Sequence, residues 1–470
     1  MNRLHPIDAI DRAIPDGGRR LAERIAEAGG RAYLVGGSLR DLLVGGTAKD
    51  WDFATDLPPE RIRALFPRSV DVGARFGTIL VVDRTITYEV TTLREEGLYS
   101  DARHPDSVTF TASVESDLRR RDFTINAMAY DPIDRTIVDP HGGRRDLEAG
   151  IVRCVGRAED RYREDALRML RCVRIAGQLD FEIEEETYRA LVRCAPMLDR
   201  IAKERIREEL DRILVQPRPS IALERLFETG LLERFLPELA DCYGVGQNRF
   251  HAFDVFYHSL HAIDQAPREN RVVRLAALFH DLGKVDTRRE DGDAVTFYNH
   301  QSWSARKGDA ILRRLRYPNE ERERVVHLIR QHMFHYNEEW TDAAIRRFIR
   351  GVGPDHLADL FRMRRADTLG NGLRRTAHSP EIDELAERIE EVMARENAFS
   401  VRDLAIDGHD LMTELGMREG PAIGRILDSL LDEVLEDPER NERSALLRRA
   451  EELRPEAEAA FPRRRRNEGG

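Results

Sequence analysis

The spacing of apolar residues changes along this chain, and the change divides it. In the first part, apolar residues come in short runs between glycines and charged positions. Leu21 to Ala28 has helical spacing and stops at Gly29-Gly30, where helix propensity is low, and Ala32-Tyr33-Leu34-Val35 then reads as a strand. Trp51 to Ala54, Thr78 to Val82, Ile86 to Thr91 and Val108 to Phe110 read the same way. From Glu159 onward the period becomes helical almost to the end, as in Leu167, Leu170, Arg171, Arg174 and Ile175, which fall three and four apart. The pattern predicts an α+β N-terminal region followed by an all-α remainder. Helix breakers cluster at Gln216-Pro217-Arg218-Pro219, Gly244-Val245-Gly246 and Gly370-Asn371-Gly372. They suggest regions at 20–150, 151–245, 250–372 and 380–455, with a tail at 456–470 that ends in an arginine run and is expected to be disordered.

Composition narrows the class. A chain of 470 residues has room for about three domains. With 41 % hydrophobic and 34 % charged residues it suits amphipathic helices rather than disorder or a collagen repeat. No apolar run is long enough to span a membrane, and the N-terminus lacks a secretory leader, so a cytoplasmic address without membrane partners is expected. Cys154, Cys172, Cys194 and Cys242 form no Cys-x-x-Cys pair, which argues against a zinc knuckle or disulfide framework. The net charge of −11 runs against phosphate-backbone binding. That average hides arginine clusters at Arg119-Arg120-Arg121 and between Arg161 and Arg174. Arginine richness also follows from base composition of a genome, so position within a motif has to carry any nucleic-acid reading.

The first such motif is Leu34-Val35-Gly36-Gly37-Ser38-Leu39-Arg40-Asp41, two glycines between a strand and a helical stretch. There backbone N–H groups can approach a triphosphate closely. Downstream stands Asp50-Trp51-Asp52, and in a strand Asp50 and Asp52 share a face. Such a pair is tolerated in bulk solvent or beside a cation, and oxygen ligands suit Mg²⁺. Two carboxylate-held Mg²⁺ ions would clamp the attacking and leaving oxygens of a phosphoryl transfer. Glu89 is a candidate third carboxylate.

The segment from Leu34 to Thr55 resembles the catalytic signature of the class II tRNA nucleotidyltransferases (CCA-adding enzymes) and bacterial poly(A) polymerases, of the polymerase β-like fold. Asp117 to Ala129 resembles the second motif of that family. By that resemblance Asp122, Asn126 and an arginine of the preceding run, Arg119 or Arg120, would contact the nucleotide sugar and phosphates. Arg163-Glu164-Asp165-Ala166-Leu167-Arg168 reads as helix, with Asp165 and Arg168 on one face. An ordinary salt-bridged surface helix would look the same. It is similar to the Glu-Asp-x-x-Arg motif of the family, whose Asp and Arg read the Watson–Crick edge of CTP or ATP. Asp165 would then accept from an exocyclic amino group and Arg168 donate to the ring. Arg171 and Arg174 continue one face toward the triphosphate, with Arg40, Arg120 and Arg171 assigned to charge stabilisation. The stretch Arg94 to Pro105 looks like the loop that family members use to switch from C to A.

A second chemistry is suggested by Leu275 to Lys284, an apolar run ending in His280-Asp281. With His258 upstream and His300, His332 and Asp367 downstream, the order resembles the HD superfamily of metal-dependent phosphohydrolases. That order implies a site for Mn²⁺, Fe²⁺, Ni²⁺ or Mg²⁺. His261 and His327 are alternatives to His258 and His332. The Pro421 helix start resembles the tRNA-holding tail of longer family members.

The resemblance implies template-independent addition of C and A to the 3′ end of tRNA from CTP and ATP. Alternatives are a poly(A) polymerase, a CC-only or A-only enzyme, an HD phosphohydrolase with a noncatalytic nucleotide-binding domain, and a noncatalytic RNA-binding protein.

Overall fold

Ala32–Val35 is apolar at every position because strand β1 is covered on both faces, and all of it is buried. A computed structural model describes residues 4–48, 50–73, 77–97, 107–247, 251–292, 294–373, 380–395 and 399–461. Strand β2 (Trp51–Thr55) pairs antiparallel with β1, and β3 (Ser69–Gly73), β4 (Thr78–Asp83) and β5 (Ile86–Thr92) follow. The pair β6 (Arg94–Glu96) and β7 (Val108–Phe110) stands apart as its own two-stranded sheet. With β8 (Ala129–Asp131) and β9 (Thr136–Val138) the main sheet has seven strands, ordered β3-β4-β5-β2-β1-β8-β9. Only β2 and β5 run parallel within it, which sets Asp52 opposite Glu89. Leu34, Phe53 and Val90 anchor the sheet at 1 % exposure or less, each contributing about 1.5–3 kcal/mol by leaving water.

The predicted strands all form, whereas β3, β6, β8 and β9 escaped the sequence pattern. β8 and β9 have only three residues each, too few for a period to register. The helical reading after Glu159 is largely right, with two departures. Ile151–Val152 pairs in parallel with Glu182–Ile183, and Arg288–Asp291 pairs with Ala294–Phe297 as a hairpin. Residues 456–460, expected in a disordered tail, are helical. The helix Arg443–Ala460 runs past 456 because Ala457 is buried at 3 % exposure; residues 462–470 lie outside those described.

The chain forms two compact units, residues 1–245 with 310–318, and residues 246–309 with 319–470. In the second unit, Asp254 and Asn270 cap the helices Val255–Gln265 and Arg271–Phe279 by accepting from the N–H groups of Tyr257 and Val273. The helices Asn319–Gln331 and Leu357–Gly370 pack with them. Among the described residues no helix is long and apolar enough to cross a membrane.

Candidate active site and candidate metal centre

In the first unit a cleft of about 500 Å³ opens over β2 and β5. Gly36 begins the helix Gly36–Leu43 at φ +68°, a conformation that favours glycine. A Cβ there would stand 3.3 Å from Arg121 Nη1 and 3.6 Å from Asp52 Oδ2, so the glycine also keeps the cleft floor open. Gly36, Gly37, Asp52 and Glu89 all line this cleft. Helix N–H groups and an uncancelled pair of carboxylates therefore face the same space.

Asp52 is tied to the helix through its backbone N–H, which donates to Ser38 Oγ at 3.1 Å. Burial, then the Glu89 charge, push its carboxyl up to about 6, with Asp50 adding to the rise and Arg121 opposing it. Glu89 is raised by burial and by Asp50. The expectation that Asp50 and Asp52 lie in one strand needs correction. β2 starts at Trp51, and Asp50 sits in a bend before it, exposed and outside the residues lining the cleft. Its charge still reaches both lining carboxylates.

The sugar-motif residues form a chain of hydrogen bonds. Arg40 Nη1 donates to Asn126 Oδ1 at 2.8 Å, Asn126 Nδ2 donates to Asp122 Oδ1 at 3.1 Å, and Arg171 Nε and Nη2 donate to Asp122 Oδ2 at 2.9 and 2.6 Å. Burial opposes the Asp122 charge most strongly of any single influence, but Arg171, Asn126 and Arg168 together outweigh it and hold the carboxyl below its ordinary range. Arg40 is itself buried and turned to Asn126 and Asp41, and it is not among the residues lining the cleft.

Two arginine assignments shift. Arg119 is exposed and is not among the lining residues, while Arg120 and Arg121 are. The reason is Asp117, 1 % exposed, whose Oδ1 accepts from Arg120 at 2.7 Å and whose Oδ2 accepts from Arg121 at 3.1 Å. These are spacings of three and four on the helix Val114–Arg119 and the turn after it. That spacing was the available signal for Asp117 and Arg121, which sequence reasoning passed over. Arg174 is also absent from the lining, because its Nε donates to buried Glu209 at 2.6 Å.

Asp165 and Arg168 do line the cleft, but not on one continuous helix. The chain breaks at Asp165, with φ −149° and ψ 105°, between the helices Ala158–Glu164 and Leu167–Leu179. Arg168 Nη1 pairs with Glu164, and its Nη2 donates to the Arg120 carbonyl at 3.3 Å. Of the Arg94 to Pro105 loop, the part beyond Gly97 lies outside the described residues.

In the second unit the six residues of the His/Asp series converge. His258 Nε2 lies 3.1 Å from Asp367 Oδ1, 3.2 Å from His280 Nε2 and 3.4 Å from Asp281 Oδ2. His300 Nε2 lies 3.3 Å from both Asp281 Oδ1 and His332 Nε2. His280, His300 and His332 each donate through Nδ1 to the carbonyl three residues back, at 2.8, 2.9 and 2.7 Å. A carbonyl only accepts, so each Nδ1 carries the proton and each Nε2 points a lone pair at the centre. Converging lone pairs and carboxylates, nearly all buried, are the donor set of a divalent cation, and the residues fit one. Burial opposes the charged form of His280, but Asp281 and Asp367 favour it and raise the ring to about 10. His332 is pushed down to about 3 by burial and by His280.

Gly283 makes this convergence possible, since a Cβ there would stand 2.3 Å from the His300 carbonyl. Of the alternatives, His327 Nε2 bonds to the Val352 carbonyl and His261 packs on Phe253, so neither joins the cluster. A cavity of about 640 Å³ opens onto it, walled by Phe297, Phe334, Tyr336, Lys284 and Arg364.

Residues 32–153 match the Poly A polymerase head domain, residues 180–243 the model described as "Probable RNA and SrmB- binding site of polymerase A", and residues 295–450 tRNA nucleotidyltransferase domain 2. The CCA-adding enzyme of Geobacillus stearothermophilus is 47 % identical over 220 residues, 47 % of this chain and 54 % of that protein; the match thus spans about half the length of that relative. The CCA-adding enzyme of Anoxybacillus flavithermus is 32 % identical over 424 residues, 90 % of this chain and 94 % of that protein. A crystal structure of the Bacillus stearothermophilus CCA-adding enzyme in complex with CTP aligns at TM-score 0.70 and 30 % identity, over 94 % of this chain and 98 % of that one. With the head fold, the cleft and a relative matched over nearly its full length, the chain belongs to the CCA-adding enzyme family.

Proposed function

We propose that this chain adds C and A to the 3′ end of tRNA from CTP and ATP, without a template and in the cytoplasm. The observation that carries the reading is Asp52 beside Glu89 in parallel register, under the Gly36 turn, in a cleft walled by Arg120, Arg121 and Arg171. Asp52 and Asp50, with Glu89, would hold Mg²⁺, which would supply activation of the RNA 3′-hydroxyl and charge neutralisation for the departing pyrophosphate. The N–H groups of Gly36 and Gly37 receive triphosphate oxygens. Arg120, Arg121 and Arg171 offset charge that builds as the α-phosphate is attacked in line. Asp122 and Asn126 meet the ribose, and Asp165 and Arg168 read the base edge.

The test supplies labelled CTP and ATP, separately and together, to a tRNA ending at its discriminator base. Extension by C with CTP, completed by A only when both are present, supports the reading. Long A tracts from ATP alone, on tRNA and on an unstructured oligonucleotide alike, would make it a poly(A) polymerase.

The His/Asp cluster supports a second activity of the HD type, metal-dependent hydrolysis of a phosphoester such as a damaged RNA 3′ end. His258, His280, Asp281, His300, His332 and Asp367 would hold Mn²⁺, Fe²⁺, Ni²⁺ or Mg²⁺, which lowers the pKa of bound water. Lys284 and Arg364 line the same cavity and offer charge to a phosphate.

A further inference from the structure

Asp165 stands at the break between two helices, and a third helix holds it there. Its Oδ1 accepts from the Leu167 N–H at 3.0 Å and from Arg205 Nη1 at 3.1 Å, while Oδ2 accepts from Arg205 Nη2 at 2.7 Å. Arg205 belongs to the helix Lys203–Leu214 and lines the same cleft. Its side chain is 19 % exposed and that of Asp165 16 %. Two parallel bonds between planar groups fix both the position and the tilt of the carboxylate.

We propose that Arg205 is a positioning residue for base selection, holding Asp165 as an acceptor-only edge with Oδ2 turned to the incoming base. The inference rests on the reading that Asp165 contacts the base. A guanidinium has only donors, so both carboxylate oxygens are held as acceptors. Oδ1 already takes two donors and Oδ2 takes one, which leaves Oδ2 for an exocyclic amino group. Cytosine and adenine present that donor. Uracil and guanine present a carbonyl at the matching place, and acceptor then faces acceptor. Without Arg205 the carboxylate turns about its last torsion and meets a carbonyl through water, so discrimination falls. Lysine holds one oxygen at a time and restores the clamp in part.

The experiment measures kcat/KM for CTP, ATP, UTP and GTP on the full chain with tRNA lacking CCA, for wild type, Arg205→Gln, Arg205→Lys and Asp165→Ala. In Arg205→Gln the preference for CTP over UTP should fall about tenfold or more, with Arg205→Lys between it and wild type. A fall of less than about threefold in both variants, while Asp165→Ala abolishes the preference, overturns the inference and leaves the base reading intact. A uniform loss for all four nucleotides overturns it as well, since such a loss marks a merely structural ion pair. Preference that survives Asp165→Ala overturns the base reading itself, and the role of Arg205 with it. If Arg205→Gln does not fold, Arg205→Lys, which keeps charge and bulk, decides.

Discussion

Asp52 and Asp281 are both carboxylates at the centre of a charged constellation, yet their surroundings push them in opposite directions. Asp52 is raised to about 6 because burial and the Glu89 and Asp50 charges add to each other and outweigh Arg121 and the Ser38 hydrogen bond. Asp281 is more deeply buried, but His280 and Lys284 lie against it and hold it well below the carboxylate range. The first site thus sets two like carboxylates side by side in an open cleft walled by arginines. The second carries its own compensation, with the Nδ1 atoms of His280, His300 and His332 anchored on backbone carbonyls and their rings buried. On the readings proposed above, the first site would take a cation together with its nucleotide and the second a resident ion, although both read in sequence as Asp with polar neighbours.

The largest expected effect is a double dissociation. Asp52→Ala should abolish nucleotide incorporation while the metal content of the purified protein, measured by elemental analysis, stays as in wild type. Asp281→Ala should do the reverse. Loss of both properties in either variant would break the comparison. Next comes Asp117→Ala, which leaves Arg120 and Arg121 without their shared buried partner. Breaking such a pair costs about 3 kcal/mol or more, read as a lowered midpoint in denaturant, and KM for CTP should rise as the two guanidiniums leave the cleft wall.

A smaller effect concerns pH. The folded-state value of Asp52 lies above its ordinary 3.8, so its ionisation costs stability above about pH 6 and nothing below 3.8. Mg²⁺ relieves that cost. The rise in Tm caused by Mg²⁺, with the His/Asp cluster disabled by Asp281→Ala, should therefore be larger at about pH 7.5 than at about pH 5. An equal rise at both values would remove Asp52 from the ion. The smallest effect is expected at Arg119, exposed beside two lining arginines: Arg119→Ala should change stability by no more than about 0.5 kcal/mol and leave KM for CTP in place, whereas Arg121→Ala should raise it.

Local patterns carried much of this far. The strand–glycine–helix turn at Gly36 was legible because Asp50 and Asp52 stand close downstream of it, whereas two glycines after a strand are routine in turns. The convergence of the six His and Asp residues was legible because their order survives in one dimension even though five separate stretches of chain supply them. What failed to show were features made by neighbours distant in sequence. The helix expected through Arg163 to Arg174 breaks at Asp165, and the apolar spacing on either side gives no hint of it. Arg40 and Arg174 looked like phosphate ligands, but Asn126 and Glu209 claim them first.

Sequence alone therefore determined the inventory: a mixed sheet region ahead of helices, two constellations of chemistry, and the residue types each must use. Tertiary structure decided the assignments within them: which arginines face the cleft, that Glu89 rather than Asp50 stands beside Asp52, that His258 and His332 join the cluster where His261 and His327 do not, and that Arg205 grips Asp165. The reason is physical. Periodicity and turn chemistry act over a few residues and are written in the local chain, whereas a charged side chain chooses among partners that only folding brings within about 4 Å of it.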